Sequence, residues 1–437
     1  MEENQAHIPE GWINVKFKDY IYFQEGPGLT SSLFREVGFP FLNIRCIENG
    51  KINKESCQFI SSEIANGIYI HFQLEENDLV VSTSGTLGKK AFITNNDLPL
   101  LLNTSIIRFK PLDDQKISLA FLNQLLEDYD FLYDLYSQST GSAQVNVGPT
   151  HLKKLNIKIP SSVQEQTLIA TILSKVDDAI TKTEQLIAKY TRIKTGLMQD
   201  LLTKGIDENG NIRSEETHEF KDSALGRIPK EWECEKLISY CQKIQDGTHF
   251  SPKTDTNGRY KYVTSKNIRM GYLDLSNLEF INEEAHNKIY KRCSIKFGDV
   301  LLTKDGASTG NICLNNLKEE FSLLSSVALI RGKAGVLKNE FIFQFFMEES
   351  GQKSLIGQMS GNAIPRITLT KINNTFIKVP SFKEQEVIVQ KLKPQDELIN
   401  EEKIKLTKLQ SLKTGLMQDL LSGKVRVNRL IKETASV

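Results

Sequence analysis

Asp246 and His249 stand three residues apart in Gln245-Asp246-Gly247-Thr248-His249, close enough for a carboxylate to orient an imidazole for acid–base work. No nucleophile accompanies them. The similar stretch Gln24-Glu25-Gly26 continues with Pro27 and Gly28 where Thr248 and His249 stand. The pair therefore reads as a ligand-contact group, not a catalytic one. Gly85-Thr86-Leu87-Gly88-Lys89-Lys90 has the glycines and lysines of a phosphate loop but lacks the G-x-x-x-x-G-K-[ST] spacing, so nucleotide binding is not expected there. Cys46, Cys57, Cys234, Cys241, Cys293 and Cys313 form no C-x-x-C pair. That argues against a zinc site or disulfide framework and for a reducing, cytoplasmic setting. No catalytic and no metal-ligating set is expected. What remains is loops dense in Ser, Thr, Asn, Lys and Arg.

Those loops hang on a duplicated framework. Lys-Thr-Gly-Leu-Met-Gln-Asp-Leu-Leu occurs at Lys194–Leu202 and again at Lys413–Leu421, 219 residues apart in a chain of 437. Pro9-Glu10-Gly11-Trp12 returns as Pro229-Lys230-Glu231-Trp232, and Gln24-Glu25-Gly26 as Gln245-Asp246-Gly247. Asn77-Asp78-Leu79-Val80-Val81 returns as Gly298-Asp299-Val300-Leu301-Leu302, and Gly141-Ser142-Ala143 as Gly361-Asn362-Ala363. Ile157-Lys158-Ile159-Pro160 returns as Ile377-Lys378-Val379-Pro380, and Glu165-Gln166 as Glu384-Gln385. Solenoid repeats run about 20–50 residues, so this longer period marks duplicated domains. Anchors repeat while the residues between them differ.

Charged content of 25% and hydrophobic content of 39% fit an ordinary soluble protein. No apolar run approaches the roughly 18 residues needed to span a bilayer, and the acidic start Met1-Glu2-Glu3 is not that of a signal peptide. Net charge is +1, but the copies differ. Residues 1–160 carry 14 Lys+Arg against 19 Asp+Glu, a net −5, whereas residues 226–380 carry 22 against 16, a net +6. A polyanion needs local positive surface, which the second copy supplies more plainly.

Each copy starts with a mixed region, 1–160 and 226–380, in which short apolar runs (Asp78–Val81, Leu100–Leu102, Ile106–Phe109, Val300–Leu302, Val327–Ile330) predict strands. Leu119–Tyr136 and the stretch from Asn339 predict helix, so the mixed regions are α+β. Regions 161–204 and 381–425 each hold one long helix, with a connector at 205–225 and a tail at 426–437. Ile169, Ile172, Val176, Ala179, Thr183, Leu186, Tyr190, Ile193 and Leu197 step by threes and fours, the seam of a coiled coil. The second seam, through Ile388, Leu392, Ile399, Leu406, Leu409 and Leu416, is interrupted by Gln395, Glu402 and Lys413. Pro394 should kink or restart that helix. The simplest arrangement pairs the two helices antiparallel with the mixed domains held apart.

This layout resembles the specificity subunit of type I restriction-modification systems over essentially the whole chain. The resemblance rests on Pro9-Glu10-Gly11-Trp12, Gln245-Asp246-Gly247-Thr248-His249, Gly361-Asn362-Ala363, the Glu-Gln helix starts and the repeated nonamer, taken in order and in duplicate. It implies two target recognition domains, each reading one half of an asymmetric bipartite site in double-stranded DNA. It implies long helices that space them and dock two methyltransferase subunits, with motor-nuclease subunits, two of them, in a restricting complex. S-adenosylmethionine, and ATP with Mg2+ for restriction, would then sit on the partners, with no cofactor in this chain. No Gly-rich cofactor loop after a strand and no Asp/Asn-Pro-Pro-aromatic tetrad is present, so methyl transfer by this chain is not expected.

Base edges and phosphates are contacted by donor and acceptor side chains and by Lys and Arg. In the second domain these are Asp246, Thr248, His249 and Lys253, then Ser265, Lys266, Asn267 and Arg269, then Lys304, Asp305, Ser308 and Thr309, and Arg366. In the first they are Thr30, Ser31 and Arg45, then Ser82, Thr83, Ser84, Thr86, Lys89 and Lys90, then Gln144 and Asn146. The nonamers would offer Leu197, Met198, Leu201, Leu416, Met417 and Leu420 for partner docking. The rival reading is a structural coiled-coil adaptor without sequence-specific DNA binding. It leaves unexplained why framework repeats while loops differ.

Overall fold

The computed structural model describes residues 8–83, 88–137, 148–255, 258–357 and 366–428. The chain divides into two compact units, Met1–Glu184 with Ile404–Val437, and Gln185–Lys403. Each unit therefore contains one mixed domain, the first part of the long helix that follows it, and the last part of the other long helix.

Both units are built on a four-stranded antiparallel sheet of the same topology. In unit one the order is Ile21–Glu25, Ile106–Pro111, Leu79–Ser82, Lys90–Phe92; in unit two it is Cys241–Asp246, Val327–Gly332, Val300–Thr303, Ile312–Leu314. Successive strand residues face opposite sides. Leu79, Ile107 and Phe109 enter a core with Trp12, Phe17 and Phe121, while Val80, Ala91 and Ile106 enter another with Leu42, Leu100 and Leu102. Unit two repeats this: Val300, Leu302 and Ile330 pack with Trp232 and Phe341, and Leu301, Val327 and Leu329 with Val263 and Phe321. Sheets buried on both faces lack polar alternation, hence the unbroken apolar runs in the sequence.

Leu100–Leu102 is buried but is not a strand. Its backbone alternates partners: Leu101 pairs with Pro40 and Leu42, whereas Leu100 and Leu102 pair with Leu74 and Phe72, so no ladder extends beyond one bridge. The helical stretch predicted over Leu119–Tyr136 is two helices, Leu119–Leu125 and Tyr129–Ser137. Its counterpart is also two, Asn339–Met347 and Glu349–Ile356.

Short ladders close each mixed domain at its ends. Trp12–Lys16 pairs with Asn156–Pro160, and Glu233–Lys236 with Phe376–Val379. The long helices, Val163–Thr203 and Phe382–Leu420, start just beyond. The repeated glutamine fixes each start. Gln166 donates Nε2–H to the carbonyls of Pro160 and Lys116 (2.9 and 3.0 Å) and accepts from the Ser118 amide (2.9 Å). Gln385 does the same with Pro380, Val336 and Lys338 (3.0, 2.9 and 2.9 Å).

Pro394 does not break the second helix, which runs unbroken through it. Pro394 and Gln390 are exposed, so the carbonyl left without its intrahelical donor faces solvent, where water can satisfy it. The seam is otherwise followed: Ile169, Thr183, Ile388 and Leu392 are buried, while Ile193 is 44% exposed and leaves it. Within each unit the segments run antiparallel. Glu165 meets Arg426 and Asp177 meets Lys413 in unit one; Glu384 meets Arg213 and Asp396 meets Lys194 in unit two.

The nonamer's first residue thus makes equivalent cross-helix ion pairs, Lys194–Asp396 at 2.5 Å and Lys413–Asp177 at 2.7 Å. Lys413 also reaches Glu127 at 2.6 Å, which Lys90 meets at 2.5 Å. Burial alone would push the Glu127 carboxyl up, but the Lys90 and Lys413 ammonium groups hold it below the usual carboxylate range. A depressed carboxyl stabilises the fold above its unfolded pKa of about 4.3, and that contribution is lost as pH falls through the lower folded value. Lys413→Met should therefore weaken unit one near neutrality, and the difference from wild type should shrink below about pH 4. Hydrogen exchange across Glu127 and Asp177 checks this; a pH-independent difference would remove the ion pair as its cause.

Candidate nucleic-acid interface

In both units one end of the four-stranded sheet gathers polar side chains on the turns between buried strands, a rigid base for binding loops. In unit two, Asp246 ends its strand and Lys304 follows the end of Val300–Thr303, the next strand but one in the sheet. The Lys304 ammonium lies 3.4 Å from Asp246 and 2.9 Å from Asp305, and Asp305 lies 2.9 Å from Arg366. Asp246 also meets Arg292 at 3.0 Å and His249 at 3.3 Å. Beside this network a cleft of about 510 Å³ is lined by Ser265, Lys266, Asn267, Arg269, Asp274 and Ser308, among others.

The same sheet end of unit one is chemically different. Glu25 takes the place of Asp246 and accepts from the Thr104 hydroxyl at 3.5 Å; burial pushes its carboxyl up. Thr83 stands in place of Lys304. A cleft of about 400 Å³ lies between Glu48, Asn49, Gly50 and Lys89. Close backbone approach accounts for the shared glycine beside each carboxylate: a Cβ on Gly26 would collide with the Asn103 backbone, and one on Gly247 with Leu323.

The predicted contact residues divide by exposure. Thr30, Ser31, Arg45, His249, Lys253, Lys266, Arg269 and Arg366 are exposed, and Lys89, Ser265, Asp305, Ser308 and Thr309 are half-buried. Six are buried: Ser82, Thr83, Asp246, Thr248, Asn267 and Lys304. Ser82 Oγ accepts from the Lys89 amide at 2.9 Å. Thr248 closes the turn to Phe250, and Asn267 Oδ1 accepts from the Thr264 amide at 3.0 Å. Lys90 is withdrawn into its pair with Glu127. Ser82, Thr248 and Asn267 are short polar residues that bond the backbone of their own turns, whereas Asp246, Lys304 and Lys90 are held by ion pairs. Ser84, Thr86, Gln144 and Asn146 lie outside the described residues.

The residues expected to dock partners are buried or half-buried. Met198 and Leu201 are buried in the core of unit two and Leu420 in that of unit one, while Leu197, Leu416 and Met417 are half-buried against the same cores. The outward residues of the nonamers are Thr195, Gly196 and Gln199, and Thr414 and Gln418, with Gly415 half-buried. Sequence reasoning missed Arg292 and Lys288, exposed on the helix Glu283–Arg292. The signal was present as Lys288, Lys291 and Arg292 at helical spacing. No described helix is long and apolar enough to cross a membrane.

Comparison with known proteins adds to this geometry. Residues 9–191 and 229–410 each match the type I restriction modification DNA specificity domain. The chain is 27% identical over 441 aligned residues to the type I restriction enzyme MjaVIII specificity subunit of Methanocaldococcus jannaschii, covering 98% of this chain and 96% of that one. It is 22% identical to the EcoBI specificity subunit of Escherichia coli, covering 88% and 79%. The solved S subunit of a type I restriction-modification system from M. genitalium superposes with a TM-score of 0.60 at 18% identity, covering 96% of this chain and 98% of that one. A duplicated frame, matched twice by one domain family and end to end by its members, places this chain among the specificity subunits of type I restriction-modification systems.

Proposed function

We propose that this chain reads an asymmetric bipartite site in double-stranded DNA and performs no catalysis itself. The carrying observation is that one framework, used twice, carries different chemistry at the same sheet end: Glu25 bonded to Thr104 beside Thr83 in one unit, and buried Asp246 and Lys304 linked to exposed Arg292 and Arg366 in the other. Two identical surfaces would read a palindrome; two different ones read unlike half-sites. The exposed sides of the long helices dock two methyltransferase subunits in the cytoplasm, which bring S-adenosylmethionine. Two motor-nuclease subunits, with ATP and Mg2+, complete a restricting assembly.

Half-sites on one face of B-DNA repeat about every 34–36 Å. A helix of 41 residues spans about 60 Å at 1.5 Å per residue, enough to set such a separation. Inserting one heptad into each long helix adds about 10 Å, or about 3 base pairs at 3.4 Å each, to the spacer. Co-expression with the methyltransferase, followed by single-molecule sequencing of the host genome, reads both motif and spacer. A two-part motif whose spacer grows with the insertion supports the proposal. Absence of any motif removes the specificity reading, and an unchanged spacer removes the ruler.

A further inference from the structure

Alternating charges cross the sheet end of unit two in the order Arg292, Asp246, Lys304, Asp305, Arg366. Its middle is buried, with side chains of Asp246 and Lys304 exposed by only 3% and 2%, while its ends stand in solvent, Arg292 at 49% and Arg366 at 58%. Burying a carboxylate and an ammonium together carries a desolvation cost that their attraction often only balances. The arrangement is therefore poor as a stabiliser. What it does provide is a fixed carboxylate beneath an exposed guanidinium.

We propose that Arg292 reads a guanine in the major groove of the half-site bound by unit two, with Asp246 as its positioning residue. This rests on the specificity reading above. A phosphate contact needs charge but little orientation, and Lys288 and Lys291 on the same helix, both exposed, serve that purpose. Guanine recognition needs two N–H groups aimed together at O6 and N7. Asp246 Oδ1 accepts from Arg292 Nη2 at 3.0 Å, which uses one of the guanidinium's five N–H protons. Four remain, Nε–H, both on Nη1 and one on Nη2, from which a two-proton fork can be offered to the base. Holding the guanidinium beforehand removes much of the rotamer entropy that a free arginine loses on binding. Lys288 lies 4.9 Å over the Phe250 ring, so the neighbouring loop is also pinned to this helix. Among the described residues unit one has no such relay, since Glu25 bonds to Thr104 and Thr83 replaces Lys304. The effect must therefore fall in one half-site only.

The test uses the full chain co-expressed with its methyltransferase, with host genomic DNA as probe and methylated motifs read by single-molecule sequencing. Arg292→Ala should relax one guanine position, lowering its preference by about 5- to 150-fold, and leave the other half-site intact. Arg292→Lys, which keeps the charge but loses the fork, should relax the same position. Asp246→Asn should weaken it partly, and a normal thermal unfolding profile for Arg292→Ala separates readout from folding. An unchanged motif in Arg292→Ala, or an equal loss at every position, overturns the proposal while leaving the specificity reading in place. A wild-type chain that directs no motif overturns both.

Discussion

Glu384→Ala should destabilise unit two by about 3–5 kcal/mol, the range for removing one partner of a buried pair. Glu384 is 9% exposed and serves four donors. Arg213 Nη1 and Nη2 reach it at 2.6 and 3.2 Å, Trp232 Nε1 at 3.2 Å and the Ile206 amide at 2.9 Å. Alanine would leave the indole N–H and the Ile206 amide without the carboxylate they donate to, and the guanidinium with the Lys204 carbonyl at 3.4 Å in its place. Each kcal/mol moves the melting temperature of a domain this size by about 2–4 °C, so a fall of roughly 10 °C is expected by calorimetry. A loss under about 1 kcal/mol would mean that water replaces the carboxylate, contrary to the burial observed. Glu165→Ala in unit one should cost less. Arg426 meets Glu165 at 2.7 and 2.8 Å, but Trp12 Nε1 has no partner to lose among the described residues. Different segments deliver the two arginines, the connector in one unit and the C-terminal tail in the other. Both follow a left-handed glycine, Gly205 (φ +66) or Gly423 (φ +73), packed so closely on its unit's tryptophan that any Cβ would strike the ring.

Lys253→Ala/Lys266→Ala/Arg269→Ala should weaken DNA binding at every sequence alike. Phosphate neutralisation releases counterions, so log K falls with log salt by about 0.9 per phosphate contacted. Removing three contacts should flatten that slope by about 2.7. All three residues are exposed in unit two, whose region carries the basic excess. Titrating the assembled complex on its own motif and on unrelated DNA over a range of salt measures both slopes. Loss confined to the motif would make these residues base readers instead, and an unchanged slope would place DNA elsewhere.

The repeat decided much on its own. Two copies of one frame, a long helix in each, and four of the five expected strands followed from periodicity and the paired anchors. They did so because helical spacing and unbroken apolar runs are local signals. The tail's role was not legible, since Arg426 replaces Arg213 from an unrelated stretch of sequence and only the fold brings it to Glu165. That the helix does not restart at Pro394 was not legible either, because a proline's cost depends on which side of the helix faces solvent, and sequence does not show that side.

The candidate surface shows the same division. Sequence alone named the loops and established that the copies differ there. Only the tertiary structure decided which polar residues face out. Asp246 looks like a surface contact in the sequence yet lies under Arg292, and Lys304 is buried beside it, because strand ends packed from both sides bury their polar residues, while Arg292 reaches solvent from the end of a helix. The nonamers carry the same lesson: their identity told of duplication, but their apolar residues fill each unit's own core, and that distinction depends on what packs against the helix, which no local pattern records.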